Sequence, residues 1–294
     1  MRVLTGSMEE LAARAMEWGY DGIEYMPDPE RVPEPAAMER ALKAAGAVLP
    51  VVNSGRMGVQ QMTLLHADTA VRRRSIAAFK RILDFAGAFR ARVGLGIARG
   101  KGIPGASRDQ MDAMAAEVFP ELAAHAERAG AVIMLEPADP GVTSYINTTD
   151  EAMAWVRRIA SPAFSVMLDT YELAESEPSI EYGIRAGTGE ARHIHLYDPS
   201  RWPPGCTRAN DTRLATDLRL IAGNWFCGVG LGCPGAGRRP GGCGEEDVGV
   251  PAWGPGRAVV PERCLDGRIR EWNRRQSEQS SPKGSRAARR RTFA

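Results

Sequence analysis

Short apolar runs alternate with amphipathic stretches through the first two thirds of the chain. The apolar runs cover residues 1–4, 22–25, 48–52, 93–96, 132–135 and 164–168, and a seventh ends near Tyr197. Between these runs, apolar residues recur at helical spacing, as in the set Ile76, Phe79, Ile82, Leu83 and Ala86. Strands that alternate with helices predict a parallel sheet.

Polar residues mark where several of the predicted helices begin. The spacing of a capping box occurs in three pairs: Ser7 with Glu10, Ser107 with Gln110, and Thr148 with Glu151. Glycines at positions 19 and 46 are placed to end the first two helices. The pattern thus predicts seven β/α steps of roughly 25–45 residues each, a length typical of such units.

The fold predicted from this alternation is α/β, a (β/α)₈ TIM barrel that is incomplete at its eighth β/α unit. No glycine-rich dinucleotide fingerprint follows the first run, which argues against an open doubly wound sheet. After Gly205 the alternation stops, at the point where the last helix and strand are due. We therefore expect a barrel domain over residues 1–205 and an aberrant, Gly/Pro/Arg-rich, largely disordered segment over residues 206–294.

Charge and cysteine content change at the same boundary. Residues 1–205 carry 22 basic and 27 acidic side chains, a net charge of −5, whereas residues 206–294 carry 16 and 9, a net charge of +7. All five cysteines (Cys206, Cys227, Cys233, Cys243 and Cys264) lie in the second part. They lack paired C-x₂-C spacing, so they do not predict a zinc module. The basic end lacks interleaved aromatic residues, and no nucleic-acid partner is expected.

Candidate chemistry lies where three of the predicted strands end. Glu136 and Asp169 directly follow two of the apolar runs, and His193 and His195, two residues apart, share one face of the seventh strand. The carboxyl ends of barrel strands meet at one mouth, where such barrels build their sites. Oxygen ligands plus an imidazole suit Mn²⁺, Mg²⁺, Co²⁺ or Zn²⁺, so the pattern predicts a divalent-metal site.

These residues also carry a resemblance to known proteins. Residues 1–205 resemble the xylose-isomerase-like TIM barrels, which include sugar isomerases and epimerases, ketose 3-epimerases, inosose dehydratases and, more distantly, endonuclease IV. The matching segments are 19–24 (GYDGIE), 135–137 (LEP), 168–170 (LDT) and 193–195 (HIH), with Arg201 six residues beyond the last. Together they are specific for the superfamily but not for a substrate.

The resemblance implies roles for individual residues. Glu136, Asp169 and His195 would hold the metal, Glu136 would also transfer a proton, and Arg201 would contact substrate oxygens. The ketose epimerase branch often has a histidine three residues after the aspartate, where this chain has Glu172. The branch also has a glutamate on strand eight, which has no evident counterpart here.

Each of these residues has a plainer interpretation. Glu172 is either a substrate contact or an acid at a helix start, and Arg201 either binds substrate or pairs with Asp198. His193 is either a substrate contact or a packed histidine beside the site. His66 fits a helix-capping loop, and His125 fits the surface of a helix.

The predicted function is that of a divalent-metal-dependent isomerase or epimerase that acts on a small sugar or polyol through an enediolate. A related lyase or dehydratase and an inactive barrel fragment stay open, and a DNA-repair endonuclease is disfavoured because four histidines are few for a three-metal cluster. No signal peptide or membrane span is visible, so a soluble, cytoplasmic protein is expected. A homo-oligomer is compatible with the sequence.

The segment after about Arg213 carries a further prediction, that it is a frameshifted version of the family's last unit. Codon degeneracy permits a one-base shift of residues 213–234 that encodes a helix-like start, a glycine turn and an apolar strand. The coding DNA tests this directly. A divergent C-terminus is the alternative, and an unclosed barrel would leave unpaired strand edges that favour aggregation.

Overall fold

The computed structural model of the chain describes residues 6–17 and 20–197. Six strands alternate with helices along this part of the chain. The strands are β1 (Gly22–Tyr25), β2 (Val48–Asn53), β3 (Arg92–Leu95), β4 (Val132–Leu135), β5 (Phe164–Asp169) and β6 (Ala191–His195). The helices are α1 (Met8–Glu17), α2 (Pro35–Ala45), α3 (Gly55–Val59), α4 (Thr69–Ala88), α5 (Arg108–Ala129), α6 (Thr149–Ile159), α7 (Thr170–Ser176) and α8 (Ile180–Ala186), with a 3₁₀ helix at Ile97–Arg99.

The helix starts follow the capping signals of the sequence. Reciprocal capping boxes join Ser107 to Gln110 at α5 and Thr148 to Glu151 at α6. Ser7 and Glu10 make the same pair of hydrogen bonds at α1. These contacts satisfy backbone N–H groups that have no partner within the helix. The predicted starts of all three helices are therefore confirmed.

The six strands form one parallel sheet in which strand order follows chain order, from β1 to β6. The sheet is strongly curved, because a side chain of β1 meets side chains of β6 across its concave face. Glu24 Oε1 lies 2.8 Å from His193 Nε2, although 169 residues separate them in the chain. A flat sheet would hold these two strands about 24 Å apart at the usual spacing of roughly 4.8 Å. The concave face is thus the interior of a TIM barrel.

Apolar side chains fill both faces of the sheet. The larger cluster lies between strands and helices and includes four side chains with no exposed surface: Val93, Phe119, Leu135 and Leu168. The smaller cluster lies inside the barrel and consists of Val51, Met134 and Met167, each with no exposed surface. This inner cluster forms a packed floor beneath the carboxyl ends of the strands.

The strands β1 to β6 correspond to the second through seventh runs of the sequence, so the α/β barrel fold is confirmed. Three short elements were not predicted: α3, the 3₁₀ helix after β3, and α7. Strand β3 was predicted one residue late, because Gly96 begins the turn into the 3₁₀ helix. The expected first strand, the boundary at residue 205 and the frameshifted segment lie outside the described residues. Among the described helices, none is long and apolar enough to cross a membrane.

Candidate metal centre

Three side chains converge where β4, β5 and β6 end. One potential ligand atom from each of Glu136, Asp169 and His195 lies within 4.8 Å of the others. Asp169 and His195 are buried, and they face each other in the β5–β6 register, with Asp169 Oδ2 3.8 Å from His195 Nδ1. The structure therefore brings together the three residues that the sequence predicted as metal ligands.

The end of β5 holds Asp169 by two local contacts. Its Oδ1 accepts a hydrogen bond of 2.8 Å from the Tyr171 N–H and so caps α7, while Oδ2 is the oxygen that faces His195. The next residue, Thr170, accepts a hydrogen bond from the Tyr197 N–H and donates one to the Tyr197 carbonyl, both 2.8 Å. This tie keeps β5 and β6 in register beyond their last paired residues.

Contacts with β3 and the residue after it position Glu136. Its N–H donates to the Leu95 carbonyl, which extends the β3–β4 pairing by one residue. Its carboxylate lies over Gly96, and a Cβ at that position would collide with Glu136 Oε2. Glycine at 96 is therefore required by the close approach of the carboxylate.

A buried arginine, Arg99, holds the loop that follows Glu136. It is 1% exposed and donates to the carbonyl of Glu136 at 2.7 Å, as well as to those of Gly96, Tyr145 and Ile146 at 2.8–3.0 Å. Burial lowers the pKa of Arg99 to about 10, against the opposing influence of Glu136 and other acids nearby. At that value the guanidinium stays charged at neutral pH and adds positive potential beneath the site.

Glu24, on β1, contacts both histidines of β6. Its Oε1 lies 2.8 Å from His193 Nε2, and its Oε2 lies 3.0 Å from His195 Nε2. His193 is completely buried, whereas the side chain of Glu24 is 25% exposed. Glu24 is not among the site residues predicted from the sequence. Together with the two histidines it forms a second group whose ligand atoms lie within 4.8 Å of one another.

Burial and mutual charge shift the pKa values of these groups in different directions. Burial, reinforced by Asp169 and Glu172, raises the pKa of Glu136 to about 7. Burial alone would lower the pKa of His195, but Glu24, Glu136 and Asp169 outweigh it and raise the value to about 10. In the metal-free protein the His195 ring is thus a positively charged imidazolium, protonated on both nitrogens, with carboxylates on both sides.

The pKa values of Glu24 and His193, which lie beside this charged imidazole, are lowered. Burial opposes ionisation of Glu24, but the two histidines outweigh it and lower its pKa. For His193 burial prevails over the attraction of Glu24, so its pKa is lowered and the ring stays neutral. A neutral His193 that donates from Nε2 has an unprotonated Nδ1, which has no hydrogen-bond partner within the described part of the chain.

The other candidate residues lie at varied distances from this centre. Glu172 is 8% exposed in the first turn of α7, and it accepts a hydrogen bond of 2.6 Å from the Asp139 N–H on the loop after Glu136. It lies at a helix start beside the site, and its role as a substrate contact stays a prediction. Arg201 falls outside the described residues, so its role stays a prediction.

The two remaining histidines lie elsewhere. His66 accepts a hydrogen bond from the N–H of Asp68, the residue that caps α4, as the helix-capping interpretation expected. His125 lies on α5 and pairs with Asp84 at 2.7 Å, on the outer surface of the barrel. Neither contributes to the centre.

Glu24 and Arg99 were the residues that sequence reasoning missed. A signal for Glu24 existed: it is an acid in the middle of an apolar strand, and in a closed barrel it must face either the helices or the interior. Arg99 had no such signal, because its segment, ARGKG, has the composition of an exposed loop.

Comparisons with known proteins agree with this architecture. The model of the family described as xylose isomerase-like TIM barrel matches residues 12–228. Among solved structures, 3-keto-D-glucoside 4-epimerase YcjR from E. coli superposes with a TM-score of 0.67 at 16% identity, over 80% of this chain and 91% of that one. D-psicose 3-epimerase from Clostridium cellulolyticum H10 gives 0.67 at 17% identity, over 90% and 94% of the two chains.

A third neighbour has a different activity in its name. An AP endonuclease of family 2 from Brucella melitensis superposes with a TM-score of 0.66 at 20% identity, over 86% of this chain and 95% of that one. At these identities the likeness to solved structures shows the shared fold. The family match spans well over half of the chain and includes all six strands and the converging acids. The chain belongs to the xylose isomerase-like TIM barrel family.

Proposed function

We propose that this chain is a divalent-metal-dependent isomerase or epimerase that acts on a small sugar or polyol by proton transfer. The observation that carries the proposal is the convergence of Glu136, Asp169 and His195 within 4.8 Å at the barrel mouth. Two structural neighbours with this fold are named as sugar epimerases, which supports the substrate class.

The donor set fits a divalent cation. Two carboxylates and one imidazole match the ligand preferences of Mn²⁺, Co²⁺ or Zn²⁺, and Mg²⁺ would draw mainly on the carboxylates. In the metal-free protein the same three groups share protons, since both Glu136 and His195 have a raised pKa. A cation that replaced these protons would remove the repulsion between the buried carboxylates.

Glu136 is the residue best suited to move a proton. Its carboxylate can accept a proton and return it, and in the metal-free protein burial raises its pKa to about 7. The bound metal would supply Lewis-acid polarisation of a substrate carbonyl or hydroxyl oxygen. Glu136 would then remove a proton from the adjacent carbon. Delivery of a proton to the opposite face of that carbon gives the epimer, and delivery to the former carbonyl carbon, with a proton passing between the two oxygens, gives the isomer.

The remaining predicted residues would orient the substrate. Glu172 lies beside the loop that follows Glu136, where a sugar hydroxyl could be held by its carboxylate. Arg201 would follow β6 onto the same mouth, and its guanidinium suits a pair of oxygens. His193 is fully buried behind Glu24, so a direct substrate contact there requires Glu24 to move aside.

Exchange of a carbon-bound proton tests the proposal without knowledge of the natural substrate. The full chain, loaded with Mn²⁺, is incubated in D₂O with a panel of ketoses and polyols, and deuterium incorporation is followed by NMR. We expect incorporation at the carbon next to the carbonyl for at least one sugar. Glu136→Gln should abolish it, while Glu117→Gln, an exposed position on α5, should leave it unchanged.

Other outcomes separate the alternatives. Loss of water from the sugar, with deuterium at the carbon that lost its hydroxyl group, would indicate a dehydratase. Cleavage of DNA that contains an abasic site, with no exchange on any sugar, would favour the endonuclease. Mn²⁺ binding without any turnover would support an inactive barrel, and absence of metal binding would contradict the proposal as a whole.

A further inference from the structure

Glu24 makes contacts that a simple strand residue does not need. We infer that Glu24 is a positioning residue that keeps Nε2 of His195 protonated and turned away from the centre, so that Nδ1 is the nitrogen left for the metal. The inference rests on the metal-dependent function proposed above and adds to it which atom binds and what holds that atom in place.

The first step is the geometry around His195. Its Nε2 lies 3.0 Å from Glu24 Oε2, at the distance of a charge-assisted hydrogen bond. Its Nδ1, on the other side of the ring, lies 3.8 Å from Asp169 Oδ2. A carboxylate only accepts hydrogen bonds, so the nitrogen that faces Glu24 must carry the proton. Because Nε2 keeps its proton against Glu24, loss of the second imidazolium proton leaves the lone pair on Nδ1, which faces Asp169.

The second step is what holds Glu24 itself. The buried Nε2 of His193 lies 2.8 Å from Glu24 Oε1, so each carboxylate oxygen faces one histidine. His193 comes from the layer beneath the site, beside Met167 in the β5–β6 register. It has no other side-chain hydrogen bond among the described residues. The order of contacts is therefore His193, Glu24, His195 and then the metal centre.

A second metal bound by Glu24, His193 and His195 is the competing interpretation, because these ligand atoms also lie within 4.8 Å of one another. The observed separations favour hydrogen bonds. Two ligands of one tetrahedral ion, each at ~2.0–2.1 Å, lie roughly 3.3 Å apart. Glu24 is 2.8 Å from His193 and 3.0 Å from His195, closer than two ligands of a tetrahedral ion and at ordinary hydrogen-bond distance.

Imidazole NMR of the wild-type chain reads the bound nitrogen directly. The chain has only four histidines, so ¹⁵N labelling of histidine gives a spectrum that single substitutions can assign. In the Zn²⁺-loaded protein we expect His195 to show a metal-bound Nδ1 and a protonated Nε2, whose proton is shifted downfield and exchanges slowly. In the metal-free protein the same Nε2 proton should be present and protected.

Substitution of Glu24 measures the contribution of the contact. Glu24→Gln keeps the shape but can accept from only one of the two histidines, so His195 loses its fixed orientation in part of the population. We expect the affinity for Zn²⁺, measured by calorimetry, to fall about 10–100-fold, the usual cost of losing an outer partner of a ligating histidine. Glu39→Gln, an exposed position on α2, is the matched control and should bind as the wild type does.

The outcomes distinguish this inference from the proposed function. Three results would overturn the positioning role and still leave a metal-dependent enzyme in place. They are Zn²⁺ bound to Nε2 of His195, a second Zn²⁺ ion per chain bound to His193, and unchanged Zn²⁺ affinity in Glu24→Gln. A wild type that binds no Zn²⁺ at Glu136 and Asp169 would overturn the proposed function. In that case the Nε2 proton of the metal-free protein still decides whether Glu24 orients His195. If Glu24→Gln fails to fold, the wild-type spectra alone decide.

Discussion

Two successive layers of the barrel interior differ in character, since the lower is apolar except for His193, which lies beside Met167, and the upper carries charge. The lower layer contains Val51, Met134 and Met167, all without exposed surface. The upper layer contains Glu136, Asp169 and His195. Asp169 lies on β5 two residues beyond Met167, and Glu136 lies directly after β4, two residues beyond Met134. Because side chains alternate, this step of about 6.6 Å keeps the same face of the strand. An apolar layer fills the barrel, and the layer above it concentrates charge.

The lower layer stabilises the fold, whereas the upper layer is suited to bind a ligand. Burial of three methionine and valine side chains stabilises the fold, whereas burial of two carboxylates beside each other opposes it. The raised pKa of Glu136 is the direct sign of that cost. Substitutions in the upper layer should therefore affect ligand binding, and substitutions in the lower layer should affect stability.

The largest effect is expected for Asp169→Asn. The asparagine keeps the side-chain oxygen that caps α7 but loses the charge that faces His195. We expect Zn²⁺ affinity to fall by more than about 100-fold, beyond the cost of losing an outer partner. The free energy of unfolding of the metal-free protein should change by less than about 1 kcal/mol, as measured by urea denaturation.

Asp109→Asn, in the exposed first turn of α5, provides the control for this change. It should leave Zn²⁺ binding at the wild-type level. If Asp169→Asn instead unfolded the protein and spared the affinity, the two layers would not have separate tasks.

The lower layer is tested by Met167→Ala. Met167 has no exposed surface and packs in the floor with Met134 and Val51. Truncation of such a side chain costs about 2–5 kcal/mol, from lost burial and from the cavity left behind. Zn²⁺ affinity should change by less than about tenfold. Denaturant unfolding gives the first quantity and calorimetry the second.

An exposed apolar residue gives the comparison for Met167. Val59 is 76% exposed at the end of α3, so Val59→Ala should alter stability by no more than about 0.5 kcal/mol. A loss of metal binding in Met167→Ala at full stability would show that the floor positions ligands directly.

The sequence predicts those parts of the two layers that depend on residues close together in the chain. Glu136 and Asp169 were predictable because each directly follows an apolar strand, and parallel strands end at one edge whatever the details of packing. The capping boxes of α5 and α6 were predictable because both partners lie within one turn of helix.

Contacts across the barrel were not predictable in the same way. Glu24 meets His193 over 169 residues, and the contact exists only because the sheet curls until β1 faces β6. The position of Arg99 depends on four carbonyl groups supplied by two loops, none of which has a side-chain signature. Local patterns therefore indicated the candidate ligands, whereas the groups that would orient them are seen only in the folded chain.

The pH dependence of the metal-free protein should show the cost of the upper layer. The folded chain holds protons on Glu136 up to about pH 7 and on His195 up to about pH 10, above their ordinary pKa values of 4.5 and 6.5. Groups with a raised pKa contribute stability at low pH that is lost as pH rises through the folded value. Between pH 7 and 9 the unfolded chain has released the proton that the folded His195 retains.

The free energy of unfolding without metal should therefore fall over this range, by up to about 1 kcal/mol per pH unit. Zn²⁺ competes for the same protons, so its affinity should rise over the same range. Urea denaturation at each pH measures the first trend and calorimetry the second. In Glu24→Gln the fall in stability should be shallower, since the carboxylate that helps to hold the His195 proton is gone. A metal-free stability that rises from pH 7 to pH 9 would contradict the assigned protonation.

The smallest effect is expected where the two layers meet, at Gly96. A Cβ added at Gly96 would occupy the position of Glu136 Oε2. The carboxylate must then turn, and we expect Zn²⁺ affinity to fall about tenfold, or about 1.4 kcal/mol. Gly141→Ala, in the exposed loop after β4, is the control and should bind as the wild type does.

A double substitution shows whether Gly96 acts through Glu136. Glu136→Asp shortens the carboxylate side chain by one methylene, which withdraws it from the space that the new Cβ would take. If Gly96→Ala works only by displacing that carboxylate, it should cost little further affinity in the Glu136→Asp background, and the two changes should be non-additive by about 1 kcal/mol. Full additivity would mean that alanine at 96 disturbs the turn into the 3₁₀ helix, and with it the Arg99 contacts, rather than the ligand itself.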